Sequence, residues 1–343
     1  MKILSPLDKI EEVDRLAKAG AHEFYCGVVA DDWPYRTVSV NRRHEKAASF
    51  NGFVELAEAV ERAHAHGIPL FLTLNEHYFS AVDLAAVLRY AKRARDLGVD
   101  GFIVSDLSLM LALRGEGVEL HVSTGGATFN RESARFYQEL GVKRIVLPRH
   151  LTPTEMRGIV TAVPEMKMET FILNSKCPYI DGLCTFHHGL DAVADPDEKS
   201  GYRNGCMLPY RISSDRQVKD AAWDKQHIWA IAHMDENPCG ACALIDFQEM
   251  GIASLKIVGR GNTLTRKVKD VEFLTAALDF LKQAPARGAF VEQTRTLYRA
   301  TYGWPCRIYM CYYPDVEDGK RELSPNAQLR AEEDGIRDSA RPS

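Results

Sequence analysis

Short apolar runs rich in β-branched and aromatic residues alternate along this chain with longer stretches whose apolar positions recur at helical spacing. The runs KILSP, EFYCGV and PLFLTLN, at 2–6, 23–28 and 69–75, each precede a helical pattern, at 9–20, 50–67 and 81–98. GFIVSD, ELHVST and RIVLPR, at 101–106, 119–124 and 144–149, repeat the pairing with helical patterns at 107–117, 131–141 and 152–163. Glycine or proline stands near the end of each of these last three helices, as a helix stop requires. A seventh strand, METFIL at 168–173, is parted by a long excursion from its helix, CALIDFQEMG at 242–251. SLKIVG at 254–259 and the helix at 267–283 close the series.

Eight such units predict an α/β fold, a (β/α)8 TIM-type barrel over 1–285, whose active site forms at the C-terminal ends of the strands. A doubly wound open sheet is the main alternative. It lacks support, because no Gly-x-Gly-x-x-Gly follows the first strand and no phosphate-loop pattern occurs. Two excursions exceed a minimal barrel: 29–50 after the second strand, and a cysteine-rich insertion, 174–242, after the seventh. Long loops in a compact domain are usually functional. Residues 286–316 read as an aromatic-rich C-terminal extension packed on the barrel, and 317–343 as a polar, flexible tail.

Composition narrows the function classes. With 45% hydrophobic and 26% charged residues the chain reads as globular. Forty-three basic against forty-seven acidic residues leave a net charge of −4, so no general basic field exists and nucleic acid is not favoured as a partner. The N-terminus carries charges where a signal peptide needs an apolar core, and no run approaches the ~20 apolar residues of a membrane span. A cytoplasmic location is expected. There a disulfide framework is disfavoured, which turns attention to metal, cluster or catalytic use of the eight cysteines.

Five of those cysteines fall within or at the end of the insertion: Cys177, Cys184, Cys206, Cys239 and Cys242. Among these five only Cys239 and Cys242 have the close spacing typical of structural zinc. An iron–sulfur cluster also takes four thiolates and accepts ligands from distant loops, so spacing alone leaves both groups open. His187 and His188, next to Cys184, read as solvated neighbours rather than ligands. Cys26, Cys306 and Cys311 read as buried and inert.

The barrel rule places Asn75, Asp106, Ser123, Thr124, Arg149, His150, Lys256 and Arg260 at or near strand ends. Their chemistry suits a small anionic substrate. Arg149 and Arg260 are expected to clamp carboxylates and Lys256 to add a point charge, while His150 or Asp106 moves protons and Asn75, Ser123 and Thr124 bind substrate.

The series Cys177-x6-Cys184, then Cys206 within RNGCMLPYR, then PCGACALIDFQEMGIASLKIVGR, resembles the U32 peptidase family, as do the opening LSPLDKIEEVDRLAKAGAHEFYCGV and the FLTLN, GFIVSD and HVST strands. The resemblance implies a [4Fe-4S] cluster on Cys177, Cys184, Cys206 and Cys239, with Cys242 as alternate for the fourth ligand. It implies oxygen-independent hydroxylation of a small, aromatic or carboxylate-bearing substrate, with prephenate as oxygen donor. Proteolysis, after which the family is named, is the alternative activity. A non-catalytic iron–sulfur scaffold, or a redox subunit of a heterodimer with a paralogous partner or electron donor, is the non-enzymatic one. One departure is Val258, which stands where the family usually has glutamate.

Overall fold

The computed structural model describes residues 1–29, 40–42, 48–177, 179–186, 206, 237–307 and 310–316. The tail at 317–343 and most of the two excursions lie outside them, as do His187 and His188. Eight strands follow in order: β1 (Lys2–Pro6), β2 (Glu23–Cys26), β3 (Leu70–Leu74), β4 (Gly101–Val104), β5 (Glu119–Val122), β6 (Arg144–Val146), β7 (Lys167–Leu173) and β8 (Ser254–Ile257). Each pairs in parallel with its sequence neighbours, and β1 pairs with β8 through Lys2 and Ser254, so the sheet closes. The expected (β/α)8 barrel is the observed one.

The strands are apolar in nearly continuous runs because both faces are covered. LFLTL of β3, for instance, is buried at all five positions. One set of strand side chains packs outward on the helices in the main core. Leu4, Tyr25, Phe71 and Ile103 form a separate cluster, the apolar layer inside the barrel.

The surrounding helices are α1 (Val13–Ala19), α2 (Phe53–Ala65), α3 (Ala81–Asp96), α4 (Leu107–Leu113), α5 (Arg131–Glu139), α6 (Pro153–Ala162), α7 (Leu244–Met250), α8 (Leu264–Leu281) and α9 (Arg287–Tyr302). Side-chain caps begin several of them. Ser80 accepts from Asp83 N, Asp106 from Leu109 N and Thr263 from Arg266 N, while Thr152 and Glu155 form a reciprocal capping box. Gly20 ends α1 at φ 109, where a Cβ would also lie 2.4 Å from Thr275 Oγ1, so only glycine serves there.

Helix α9 was not foreseen as a helix. It buries Phe290, Thr294, Tyr298 and Tyr302, one residue per turn, and Phe290 stacks on Phe280 of α8 at 5.9 Å.

Beyond β7 the chain turns out of the barrel through Asn174 and Ser175, both left-handed at φ 65 and 43. The Asn174 amide is fully used. It donates to Val258 O and Asp270 Oδ2, and accepts from Arg266. The returning chain lies against the same place: Asn174 N donates to Pro238 O and Gly240 N to Ile172 O, both at 2.8 Å. The excursion thus leaves and re-enters at one narrow neck. The C-terminal segment joins it there, since Cys239 bridges to Leu173 on one side and to Cys311 on the other.

Candidate functional site

At the C-terminal mouth of the barrel, the loop between Cys177 and Cys184 is fastened by an ion pair. Arg149, three residues past β6, presents Nε and Nη2 to the two oxygens of Asp181 at 3.0 and 2.5 Å, and its own backbone N–H donates to Asp181 at 2.9 Å. Its remaining Nη1 donates to Ser175 O at 2.8 Å, and the guanidinium lies 4.8 Å from the Phe171 ring. Between Asp181 and Cys184 the chain presses on the end of β5. Gly182 has φ 78, and a Cβ there would stand 2.8 Å from Thr124 O.

Cys177, Cys184 and Cys206 are all partly buried. They lie close enough to act on one another: burial pushes the Cys206 thiol up, and Cys177 and Cys184 push it further. Burial also raises Cys177, but the Arg149 guanidinium works against that rise. Arg42, from the excursion after β2, also acts on Cys184 and Cys206. Three thiols therefore share one mouth with two cations.

The other expected strand-end residues are arranged around it. Asn75 Nδ2 donates to Ser123 Oγ at 3.4 Å, and its Oδ1 is buried without a hydrogen-bond partner among the described residues. Thr124 is buried and opens a short 3-10 turn. Asp106 spends both carboxylate oxygens on backbone amides, Leu109 N at 2.7 Å and Phe79 N at 3.2 Å. His150 is exposed, with Nδ1 4.0 Å from Asp181. Arg260 donates to Thr73 Oγ1 of β3 and to Asn41 O, tying the second half of the excursion after β2 to the barrel.

Lys256 points into the barrel rather than across its mouth. Its Nζ donates to Glu169 Oε1 at 2.8 Å and lies 4.2 Å from the Tyr25 ring. Glu169 also meets Arg144, which forks onto Glu23 at 2.6 and 2.8 Å. Two acids and two bases thus run through the interior in alternation. Charged residues inside otherwise apolar strand patterns were the signal for this network. Asp181 had no such signal, because its partner lies thirty-two residues away.

The expected fourth ligand, Cys239, sits in the neck where the excursion returns. Cys239 is 6% exposed, and its Sγ accepts from Ala241 N. Its thiol neighbours are Cys242, Cys306 and Cys311. As the side chains stand, no group of three or more His, Cys, Asp or Glu among the described residues is arranged to hold a metal ion. Among the same residues no helix is long and apolar enough to cross a membrane.

Compared with known proteins, residues 8–319 match the model of Peptidase family U32. The chain is 29% identical over 253 residues to the 23S rRNA 5-hydroxycytidine C2501 synthase of Escherichia coli K12, covering 74% of this chain and 36% of that protein. To tRNA hydroxylation protein P1 of Bacillus subtilis it is 26% identical, covering 76% and 58%. A collagenase of Porphyromonas gingivalis is 25% identical, covering 53% and 44%. The chain spans less than two thirds of the length of each of these relatives.

Proposed function

The chain belongs to peptidase family U32, and from that premise we propose that it is an iron–sulfur enzyme that hydroxylates a base in RNA without molecular oxygen. The observation that carries this reading is the gathering of Cys177, Cys184 and Cys206 beside Arg149 and Arg42 at the mouth of the barrel. The relatives named for rRNA and tRNA hydroxylation support the reaction class. They also move the expected acceptor from a small molecule to RNA. The net charge of −4 is a whole-chain average, and it does not describe a mouth that carries two arginines.

The donor set fits a thiolate-held cluster. Three thiols act on one another at the mouth, and the carboxylate beside them, Asp181, already has both oxygens on Arg149, which leaves little for a hard, oxygen-seeking ion. When bound, the cluster supplies one-electron redox chemistry. The protein's part is to hold charge and substrate. Arg149, fixed by Asp181 and Ser175, favours the thiolate form of Cys177 that ligation needs. Asn75 Oδ1, a buried acceptor with no partner among the described residues, is offered to an amino or imino group of the base. Replacing C–H by C–OH takes two electrons from the base, so the hydroxyl donor must accept them; the resemblance implies prephenate in that role.

Anaerobic purification followed by iron and acid-labile sulfide analysis is the first test, with about four of each expected per chain. Cys177→Ser and Cys184→Ser should each lose the cluster. Mass spectrometry of nucleosides from cells lacking the gene should then show one base short of an oxygen, restored by wild type and not by Cys177→Ser. Stoichiometric zinc without labile sulfide at these three cysteines would overturn the cluster. An unchanged nucleoside profile together with cleavage of peptides would favour the peptidase reading that the collagenase relative suggests.

A further inference from the structure

Cys239, Cys242, Cys306 and Cys311 meet where the chain returns from its excursion and where the C-terminal segment is laid beside it. Cys239 and Cys311 are direct partners in a parallel bridge, held by Cys239 N to Met310 O at 3.1 Å and Tyr312 N to Cys239 O at 2.9 Å. Cys242 follows within the 3-10 turn Ala241–Ala243, and Cys306 packs against the core from the segment that follows α9. The four are electrostatically linked: Cys239 feels the other three, Cys242 feels Cys306 and Cys311, and Cys306 feels Cys311.

Their order in the chain is C-x2-C followed by C-x4-C. Both pairs fall within the two-to-four-residue gap of structural zinc sites, and the second pair lies in a segment whose cysteines looked inert by sequence. We propose that Cys239, Cys242, Cys306 and Cys311 form a zinc tetrathiolate site that clamps the C-terminal segment to the end of β7, separate from the cysteines at the barrel mouth. The backbone supplies the approach. As they stand the four side chains are not arranged to hold a metal ion, so the proposal requires them to rotate on this backbone.

A bound dication would hold them as thiolates, four thiols releasing four protons to form a complex of net charge −2. Arg295 of α9 acts on Cys242, Cys306 and Cys311, and its charge offsets that excess. Zinc here would remove Cys239 from the set that ligates iron, leaving three cysteines at the mouth.

The test counts two metals separately on the full chain, purified anaerobically under reductant and loaded with zinc sulfate. Wild type should hold about one zinc per chain besides its iron. Cys242→Ser/Cys306→Ser should lose the zinc and keep iron and sulfide, whereas Cys177→Ser/Cys184→Ser should lose iron and keep the zinc. In cobalt-loaded protein the thiolate-to-cobalt absorption should vanish only in the first double variant. On wild type itself, a chelator should expose four more alkylatable thiols, a readout that does not depend on how the variants fold. No zinc in wild type, no chelator-dependent thiols, or a Cys239–Cys311 disulfide under reductant would overturn the proposal. Wild type that holds zinc but neither iron nor labile sulfide would instead count against the cluster reading.

Discussion

Arg144 is the residue on which the barrel's response to acid turns. Burial works to raise the Glu23 carboxyl, but the Arg144 fork overrides it and brings the group from its ordinary 4.5 down to about 2. A carboxyl depressed on folding contributes stability above its unfolded value, and that stability is lost as pH falls through the folded value. Urea unfolding should therefore show wild type losing stability progressively between about pH 4.5 and 2. Arg144→Gln leaves Glu23 and Glu169 buried without their shared cation, and it should cost about 3–5 kcal/mol at neutral pH with a flatter acid limb. Equal unfolding free energies for the two proteins at neutral pH would refute the account. Single residues also mark where the sequence was hard to read. Arg149, Arg260 and Lys256 were legible as charged groups near strand ends. What each charge meets was not, because Asp181, Asn41 and Glu169 are set opposite them only by the closure of the barrel.

Among the elements, α9 has the clearest energetic role. Phe290 is fully buried and stacked on Phe280, so Phe290→Ala should destabilise the protein by about 3–5 kcal/mol in denaturant titrations. A loss under about 1 kcal/mol would mean that the helix is an ornament on the barrel. Its far end reaches the neck: Tyr302 donates to Asp270, which in turn accepts from Asn174. The eight strand–helix pairs were legible because period two and period 3.6 write different patterns. Helix α9 was not, although Phe290, Thr294, Tyr298 and Tyr302 recur every four residues. Its aromatic residues carry strand propensity, which masks their helical spacing. The cysteines divided in the same way. Cys311 faces Cys239 across a backbone bridge, and Cys306 acts on Cys242, links that the sixty-four positions from Cys242 to Cys306 conceal.

For the whole molecule, the order of strands around the barrel was contained in the alternation itself, whereas the place where the long excursion is fastened was not. Leu173 opposite Cys239, with Asn174 and Pro238 joined beside them, makes the two ends of that excursion neighbours. Closing a flexible loop costs free energy that grows only with the logarithm of its length, about 0.6 kcal/mol for each doubling. Ten glycine and serine residues inserted after Asp195 should therefore change the unfolding free energy by only about 0.1–0.2 kcal/mol. A loss above about 1 kcal/mol would show that the excursion is woven into the barrel. The two ends of the excursion are thus anchored to each other at the wall, and the ring of eight strands closes without calling on what lies between them.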